Sequence, residues 1–405
     1  MVVRKIKPGE VRRTSELFSI AFEIPFEEPS GAPSRENAYQ LERYAAFEDD
    51  NETMTSCLFA TPFRMTFDGN EVDMTGIGGV SSLPHFRRNG GIRGCFQKML
   101  PDLYEKKVAF SYLYPFSTAY YRKYGYEQAG MCWIYEWDLS QVPFAEKEGK
   151  SILIDKSNAQ ETLPEFKKLY KKWQDEYTGM IVNEDWEFGF VINADPYVKQ
   201  EFTYLYRNGQ GEPAGYMTFH KEKVPEGQKL ICTRFVFDGL AGFKGLMTLA
   251  KSFASDHLSI SFRIPESMRL ESAIKEWSLG AVKMTPVVLG MIRAVDVMQV
   301  LQKARYQGTD SIRLKIQDDC IPENTGIYHV VFEDGKAVSV EKLSADETEW
   351  DASMGVNILS RFIYGCTDMS ALEYCEDMVL GDAPDALDRL KKVFYHKNYY
   401  LMEYF

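Results

Sequence analysis

The chain has 405 residues, of which 45% are apolar and 14% aromatic, so it can bury two or three cores and is not an intrinsically disordered protein. Its formal net charge of −12 argues against a general binder of nucleic acid or anionic membranes, and leaves cationic, amine-bearing substrates possible. The seven cysteines form no Cys-x-x-Cys pair, the five histidines do not cluster, and no apolar run approaches the roughly 20 residues of a membrane span. These features predict a cytoplasmic protein with free thiols and no metal site.

The first seventy residues predict strands joined by hairpins, with one helix. Val2 to Ile6 is typical of a short strand, and an amphipathic helix follows through Glu16 to Phe22. The stretch from Phe26 to Asn37 contains two prolines and predicts a loop. Between Ala45 and Phe67, apolar segments flank a polar cluster, and Asp68-Gly69-Asn70 follows, so two hairpin turns are expected.

A strand from Val72 to Ser82 leads into the most informative segment, Val80 to Arg93, which reads Val-Ser-Ser-Leu-Pro-His-Phe-Arg-Arg-Asn-Gly-Gly-Ile-Arg. The helix after it carries a continuous apolar stripe, formed by Ile92, Cys95, Phe96, Met99 and Leu100. Pro101 predicts a kink in this helix or an early end after Leu100.

Three arginines and two adjacent glycines stand between this strand and this helix. Glycine lets the backbone approach a ligand closely, and the first N–H groups of a helix attract anions. The segment therefore predicts a site for an anion such as a pyrophosphate. The alternative is a basic turn with a purely structural role, since the glycine patterns of the Rossmann fold and of the nucleotide P-loop are both absent.

A second segment follows at a short distance. Val108 to Tyr114 predicts a strand, and Ser117 or Thr118 can cap the helix that carries Tyr120 and Tyr121. Gly125 is placed to end that helix. Such a run of tyrosines on a helix is in itself more typical of a core or an interface than of a catalytic site.

The rest of the chain predicts two further regions. The polar segment from Ala145 to Lys150 is typical of a linker, and the residues after it repeat the order of strand, helix, strands and helix seen in the first region. From about Met291 the pattern changes to a helix capped by Asp296, a hairpin with an Asp334-Gly335 turn, and a helix from Asp385 to Phe394. The chain then ends in aromatic residues, which predicts a buried C-terminus, either for function or as a stabilising last strand.

These motifs resemble those of GNAT acetyltransferases. The family's pyrophosphate loop, Arg/Gln-x-x-Gly-x-Gly/Ala, is similar to Arg87-x-x-Gly90-x-Ile92, which departs from it at the last position. The run from Pro84 to Arg93 matches the Pro-x-x-Arg-Arg-x-Gly-x-x-Arg loop of the enhanced intracellular survival (Eis) family without a gap. The resemblance implies an α+β (mixed α/β) fold class: a catalytic GNAT domain at 1–147, a degenerate GNAT-like domain at 148–290, and a sterol-carrier-protein-like α+β domain at 291–405.

The resemblance also implies roles for individual residues. The strand backbone at Val80, Ser81 and Ser82 would bind the pantetheine arm of acetyl-CoA, and Phe116 and Ser117 would contact the coenzyme further along. The pyrophosphate would be held by the loop and the helix start, that is by Arg88, Asn89, Gly90, Gly91, Ile92 and Arg93. Tyr121 would be the general acid, and the carboxylate of Phe405, which the family places in its active site, would be the general base.

The implied reaction is direct transfer of an acetyl group from acetyl-CoA to a primary amine of an aminoglycoside, a polyamine or a protein lysine. A thiol has a pKa of about 8.5 and tyrosine one of about 10, so complete proton transfer from Tyr121 to the leaving thiolate is uphill by roughly 2 kcal/mol. A carboxylate with a pKa near 3.5 is a weak base, so attraction of a cationic substrate could be the larger role of Phe405. The family also implies a homohexamer, and the alternative function is a binding protein with a lapsed acetyltransferase scaffold and a C-terminal lipid- or partner-binding module.

Overall fold

The computed structural model describes residues 1–26, 41–143, 148–274, 280–344 and 347–405. The described chain divides into two compact units. The first unit comprises Met1–Gly130, Leu289–Lys397 and Glu403–Phe405, and the second comprises Met131–Val288 and Asn398–Met402. The predicted loop from Phe26 to Asn37, except for Phe26 itself, and residues 145–147 of the predicted linker lie outside the described residues.

The N-terminal part of the first unit is a sheet with helices. Its strands are β1 (Val2–Lys5), β2 (Glu42–Phe47), β3 (Met54–Phe67), β4 (Asn70–Ser82), β5 (Phe110–Leu113) and β6 (Glu127–Gln128). Its helices are α1 (Val11–Phe22), α2 (Gly91–Glu105) and α3 (Thr118–Arg122).

Residues 131–288 form a second sheet with its own helices. The strands are β7 (Met131–Asp138), β8 (Lys150–Leu153), β9 (Glu201–Arg207), β10 (Pro213–Val224), β11 (Gly227–Phe237), β12 (Ser259–Pro265) and β13 (Val282–Val288). The helices are α4 (Ala159–Glu176), α5 (Gly189–Ile192), α6 (Pro196–Lys199) and α7 (Gly239–Lys251).

The remaining residues return to the first unit. Their strands are β14 (Met291–Ala294), β15 (Asp310–Gln317), β16 (Gly326–Glu333), β17 (Lys336–Lys342), β18 (Ala352–Gly355) and β19 (Met378–Leu380). Their helices are α8 (Val297–Lys303), α9 (Val356–Ile363) and α10 (Ala386–Val393). Short 3-10 helices lie between the named elements of the chain, at Pro8–Glu10, Pro84–Phe86, Asp185–Phe188, Glu271–Ala273, Pro322–Asn324 and Met369–Tyr374.

The sheet that carries the predicted site has the strand order β1-β2-β3-β4-β5-β14-β6. The predicted hairpin between β3 and β4 is confirmed: Phe67 pairs with Asn70, and Asp68 and Gly69 have φ angles of +51° and +80°, as a two-residue type I′ turn requires. Strand β4 pairs with β5 in parallel, so α2 is the crossover between them.

Helix α2 buries the apolar stripe that the sequence predicts. Cys95, Phe96, Met99 and Leu100 are each fully buried against the sheet. The predicted early end at Pro101 is wrong, because the helix continues to Glu105. A proline removes one helical hydrogen bond, and burial of Leu103 in the following turn offsets that loss.

The second unit repeats the plan of the first sheet. Its strand order is β13-β7-β12-β11-β10-β9-β8, and β11 pairs in parallel with β12 across the helix α7. The same arrangement joins β4, α2 and β5, so the predicted repetition of the fold is confirmed.

The third sheet, β17-β16-β15-β18-β19, lies in the first unit. Two details of the sequence prediction are confirmed here: Asp296 accepts a hydrogen bond from the N–H of Gln299 at the start of α8, and Asp334-Gly335 forms the β16–β17 turn. The three domain boundaries stay a prediction, because the first and third sheets belong to one compact unit.

Strand β14 is a feature that sequence reasoning missed. It inserts between β5 and β6, and its Arg293 is fully buried, where it forms an ion pair with Asp318 at 2.9 Å. The amide of Asn324 donates to the same carboxylate, so the buried charge has several polar partners.

Candidate active site

Strand β4 has an open edge. Its parallel pairing with β5 ends at Ile77 and Leu113, although β4 itself continues to Ser82. On the other side β4 stays paired with β3 up to Ser82. No described strand pairs with the β5 side of β4 beyond Ile77, so an extended ligand with amide groups can add here as a further strand.

A β-bulge shapes this edge. Phe59 pairs with Gly78 and Cys57 with Ser81, so two residues of β4, Gly79 and Val80, stand opposite one residue of β3. Gly79 has a φ of +57°, a left-handed conformation that glycine adopts without strain. A bulge bends its strand and increases the local twist. The residues of β4 from Val80 onward therefore run in a different direction from the residues of β4 that pair with β5.

The serine side chains of the open edge already have partners. The Ser81 hydroxyl donates to the carbonyl oxygen of Gly79 at 2.7 Å, and the Ser82 and Ser56 hydroxyls are 2.8 Å apart. These contacts leave the backbone of Val80, Ser81 and Ser82, rather than the side chains, as the groups offered to a ligand.

The loop after β4 ends in a helix start without a side-chain cap. Gly90 is the N-cap of α2 with a φ of +85°, and no side chain accepts from the first turn. The N–H groups of Gly91, Ile92 and Arg93 therefore point out of the helix with no intrahelical acceptor. A Cβ on Gly91 would lie 2.4 Å from the Ser56 hydroxyl oxygen, so only glycine lets the helix start this close to β3.

The arginines of this loop are exposed and keep their charge available. Arg88 and Arg93 form no ion pair with any residue in the described ranges, and the same holds for Arg87. Arg88 also has a φ of +70°, a conformation that costs a non-glycine residue roughly 1–2 kcal/mol. Asn89 between them is exposed as well, whereas Ile92 packs against the core.

Tyr121 is held in the core of the same sheet. It is 2% exposed and lies in one buried cluster with Ile77 and Phe96, against which Val80 and Ile92 also pack. Burial raises the pKa of its hydroxyl well above the usual value, and the neighbouring tyrosines add to this rise. The hydroxyl makes no hydrogen bond within the described residues, so it can donate to a ligand.

Ser117 and Phe116 stand at the start of α3, which carries Tyr121. The Ser117 side chain accepts a hydrogen bond from the N–H of Tyr120 at 3.4 Å, which confirms the predicted cap. Phe116 is 74% exposed, and its ring centroid is 5.4 Å from that of Tyr121. An exposed phenylalanine beside a buried tyrosine is available to contact an apolar part of a ligand.

The C-terminal residue lies on β4. The carboxyl carbon of Phe405 is 3.6 Å from the point where a Cβ on Gly78 would stand. The Phe405 ring packs against the rings of Phe63 and Tyr114, with centroids at 4.9 and 5.5 Å. Its carboxylate forms no ion pair or hydrogen bond with the part of the chain that the structure describes.

The predicted residues gather around one strand, on both of its faces. Side chains alternate across a strand, so Ile77, in the cluster with Tyr121, faces the opposite side from Gly76 and Gly78, over which Phe405 lies. Tyr121 and Phe405 therefore do not contact each other through the strand. The open edge of β4 begins directly after Ile77, and so at the part of the strand where Tyr121 and Phe405 lie on opposite faces.

Sequence reasoning missed three residues that shape this region. Gly76 leaves the space that the Phe405 ring occupies, Gly78 lies next to the terminal carboxyl group, and the hydroxyl of Tyr114 donates to the backbone carbonyl of Glu403. The glycines carried a signal, because Gly76-Ile-Gly-Gly79 lies in the middle of a strand, where glycine marks a bulge or a close backbone approach.

Comparisons with known proteins agree with this geometry. Residues 2–129 match the model of the acetyltransferase (GNAT) domain, and residues 297–402 match that of the sterol carrier protein domain. None of the curated proteins matches the chain.

Solved structures match over the full length. A probable N-acyltransferase from Enterococcus faecalis V583, a conserved protein of unknown function, is 25% identical with a TM-score of 0.83, over 100% of this chain and 99% of that one. Eis1 from Mycobacterium abscessus is 17% identical with a TM-score of 0.77, over 100% of both chains. The chain therefore contains a GNAT acetyltransferase domain at residues 2–129 and shares the fold of Eis1.

A GCN5-related N-acetyltransferase from Anabaena variabilis ATCC 29413 shows the same fold, with 18% identity, a TM-score of 0.84 and 100% of both chains covered. The predicted family and the predicted fold class, tandem GNAT-type domains followed by a sterol-carrier-like α+β domain, are confirmed. The chain is accordingly an N-acetyltransferase, of a class that uses acetyl-CoA and acts on amines.

The second GNAT-like domain differs at the helix start that corresponds to α2. Helix α7 has Asp238 as its N-cap, and the Asp238 carboxylate forms an ion pair with Lys172 instead of accepting a hydrogen bond from the first turn. A carboxylate beside a helix start opposes the binding of an anion there. The local charge thus favours coenzyme binding in the first domain.

The second unit also contains a cavity of about 910 Å³. Aromatic side chains, among them Trp137, Tyr204 and Tyr206, line it together with Lys150, Lys244 and Glu148. Because the charged side chains that line the cavity are of both signs, their charge does not indicate whether a ligand would be anionic or cationic. None of the predicted site residues belongs to it.

Over the described residues, no group of three or more His, Cys, Asp or Glu side chains is placed to hold a metal ion. No described helix is both long and apolar enough to cross a membrane. All seven cysteines are free, as their scattered spacing predicts.

Proposed function

We propose that this enzyme transfers the acetyl group of acetyl-CoA directly to a primary amine of a cationic acceptor, in a site built around the open edge of β4. The acceptor class is an aminoglycoside, a polyamine or a protein lysine. No metal takes part.

The helix start and the arginine loop hold the pyrophosphate. The free N–H groups of Gly91, Ile92 and Arg93, with Gly90 and Asn89 in the turn before them, surround an anion from one side. The unpaired guanidinium groups of Arg88 and Arg93 neutralise its charge from the other. The positive φ of Arg88 fits this use, because backbone strain is concentrated at binding loops.

The pantetheine arm extends along the open edge. Its two amides pair with the backbone of Val80, Ser81 and Ser82, whose side chains are held elsewhere. Phe116 and Ser117 contact the coenzyme from the α3 side. The thioester then reaches the gap between β4 and β5 after Ile77, with Tyr121 on one face of the strand and Phe405 on the other.

In the reaction, the neutral amine nitrogen attacks the thioester carbon, the C–S bond breaks, and the sulfur leaves as a thiolate. Tyr121 donates a hydrogen bond to this sulfur as charge develops, and supplies its proton as general acid. Burial raises the pKa of Tyr121. Complete proton transfer from Tyr121 to the thiolate is therefore more unfavourable than the difference between the pKa values of free tyrosine and a free thiol implies. Its main contribution is therefore a hydrogen bond that strengthens in the transition state.

The carboxylate of Phe405 attracts the cationic acceptor and, through a bound water, receives the proton that its ammonium group loses before attack. After the C–S bond breaks, the nitrogen loses its second proton to solvent, and Tyr121 regains a proton from solvent. The carboxylate has no cationic partner in the described chain, so its charge is free to act on a substrate. The position of this carboxyl carbon beside Gly78, at the start of the open edge, is the observation that carries the proposal.

The test is turnover of acetyl-CoA by the 405-residue chain that ends at Phe405. Thiol release and the acetylated product are measured with spermine, an aminoglycoside and a lysine-containing peptide as acceptors, and binding of acetyl-CoA is measured separately by calorimetry. We expect acetyl-CoA to bind in the absence of any acceptor. We expect turnover with at least one of the three acceptors. Absence of both binding and turnover would overturn the proposal and favour the alternative of a non-catalytic binding protein.

The resemblance to the Eis family further supports a homohexamer in the cytoplasm as part of this proposal. Light scattering of the purified protein tests the oligomeric state.

A further inference from the structure

The ring of Phe405 lies directly on the backbone of β4. A Cβ on Gly76 would be 2.4 Å from a carbon of this ring, closer than any real contact allows. Gly76 has an ordinary strand pairing with Thr61 and Tyr112, so its backbone does not require glycine. Glycine weakens the middle of a strand, and here its benefit is the space that the terminal ring occupies.

Three aromatic rings surround the same space. The ring centroids of Phe63, Tyr114 and Tyr112 lie 4.9, 5.5 and 6.1 Å from that of Phe405, and the last two meet it edge to face. These distances and angles are those of favourable aromatic pairs. The glycine floor and the aromatic walls together form a pocket shaped for one phenyl ring.

Polar contacts hold the residues before the ring in place. The Tyr114 hydroxyl donates to the backbone carbonyl of Glu403, and the Tyr114 ring lies 4.3 Å from that of Tyr404. The terminal carboxylate lies next to Gly78 and has no partner among the residues that the structure describes. A binding site thus orients the ring and the backbone while the charged group stays available.

We propose that Gly76, Gly78, Phe63, Tyr112 and Tyr114 form a receptor for a C-terminal phenylalanine, which the chain's own Phe405 occupies, and that Gly76 is a positioning residue for the terminal carboxylate. The catalytic consequence rests on the proposed function. The ligand class is an α-carboxylate with an aromatic side chain, bound through its ring rather than through its charge.

The first experiment is a double-mutant cycle of Gly76→Ala and Phe405→Ala, with the Phe405→Ala chain still ending in a carboxylate. Overpacking the receptor should lower kcat about 30-fold in Gly76→Ala, with an unchanged KM for acetyl-CoA. In the Phe405→Ala background the same change should cost only about 3-fold, because the closer of the two clashing rings is gone. The Phe63 ring, 2.8 Å from the added Cβ, can then move into the space that Phe405 leaves. Gly9→Ala, where an added Cβ meets nothing within 4 Å, is the control.

Docking of the tail is measured without reference to catalysis, as the rate at which carboxypeptidase removes Phe405 from the folded protein. The wild-type tail should be resistant and the Gly76→Ala tail sensitive. Equal resistance of the two proteins would overturn the receptor. If Phe405 of Gly76→Ala is removed more rapidly but kcat is unchanged, the receptor is supported and the catalytic role of Phe405 in the proposed function is overturned. A failure of the receptor can thus be told apart from a failure of the proposed function.

A second experiment keeps the proposal testable if Gly76→Ala does not fold. A chain that ends at Tyr404 lacks only Phe405, the residue that fills the proposed receptor. This chain is assayed with N-acetylphenylalanine and with N-acetylphenylalanine carboxamide. Both compounds should bind, since the ring makes the contacts, but only the acid should restore turnover. Binding of neither compound would overturn the receptor.

Discussion

Tyr121 combines a buried ring with a hydroxyl that has no partner among the described residues. Because this hydroxyl has no protein partner there, its donor is available to a substrate that reaches it. Burial also raises its pKa, so the hydroxyl keeps its proton over the whole range in which amines are acetylated. The residue is therefore equipped to donate a hydrogen bond and unsuited to act as a base.

The change Tyr121→Phe removes only this donor. We expect kcat to fall about 100-fold, the lower end of the range for general acids, with the KM for acetyl-CoA nearly unchanged. Steady-state kinetics with saturating acceptor measure both values. Because the pKa of Tyr121 lies above the ordinary value of about 10, the wild-type rate should rise with pH as the acceptor deprotonates and show no fall below about pH 10.

The matched control is Tyr120→Phe, one position away on α3 and outside the proposed acid role. It should keep most of the activity. Equal losses in the two variants would point to a structural role of the tyrosine run and contradict the assignment of Tyr121.

Arg293 and Asp318 are a buried ion pair whose side chains are 0% and 1% exposed. The change Asp318→Asn leaves the arginine charge buried without its counter-charge, which typically costs 3–5 kcal/mol, so we expect a loss of about 3 kcal/mol in the free energy of unfolding. Urea titration measures it. Asp319→Asn removes a charge from the adjacent, exposed residue and should change the stability by less than about 0.5 kcal/mol.

At the scale of the elements, the unit of strand β4, arginine loop and helix α2 separates two tasks. In the proposed function, the loop would bind the anionic end of the coenzyme with charge and free N–H groups, whereas the strand edge would bind the pantetheine arm by backbone pairing. A change in one element should therefore affect one part of the coenzyme only.

The change Arg93→Gln tests this separation. Loss of one charged contact to the phosphates should raise the KM for acetyl-CoA about tenfold and leave kcat nearly unchanged. Acetylpantetheine lacks the phosphates, so its kcat/KM should not respond to the change. The control is Lys98→Gln, which removes an equal charge from the same helix and should leave the KM for acetyl-CoA unchanged. If Arg93→Gln affected acetyl-CoA and acetylpantetheine equally, the assignment of Arg93 to the phosphates would be contradicted.

Elements that depend on local chemistry could be predicted from the sequence. The Asp68-Gly69 turn, the Ser117 cap and the apolar stripe of α2 each follow from residues close together in the chain, and each is confirmed. Strand β14 could not be predicted, because it is four residues long and its position between β5 and β6 is decided by partners far away in the sequence.

The candidate site was predictable in its residues but not in its geometry. The family likeness supplied Tyr121 and Phe405, yet the receptor for Phe405 consists of glycines whose value lies in the absence of a side chain. Only the packing shows what fills that space, because a glycine in a strand is also compatible with a bulge, as at Gly79.

At the scale of the whole molecule, the last residue of the chain lies on a strand formed by residues 70–82, within one compact unit. The proposed active site is complete only when the C-terminal residues have docked. On this proposal, coenzyme binding should need only the first domain's strand, loop and helix, whereas turnover should need the end of the chain as well.

A chain extended by a single glycine after Phe405 tests this dependence with little other disturbance. The extra residue moves the carboxylate by about 3.5 Å while the Phe405 ring and its aromatic contacts remain. Because a displacement of this size is large on the scale of catalytic geometry, kcat should fall about 100-fold. The affinity for acetyl-CoA and the unfolding temperature should stay unchanged, and a chain with an N-terminal glycine extension should keep its activity. Full activity of the C-terminally extended chain would show that the carboxylate takes no part, and would leave Tyr121 as the general acid and solvent as the proton acceptor.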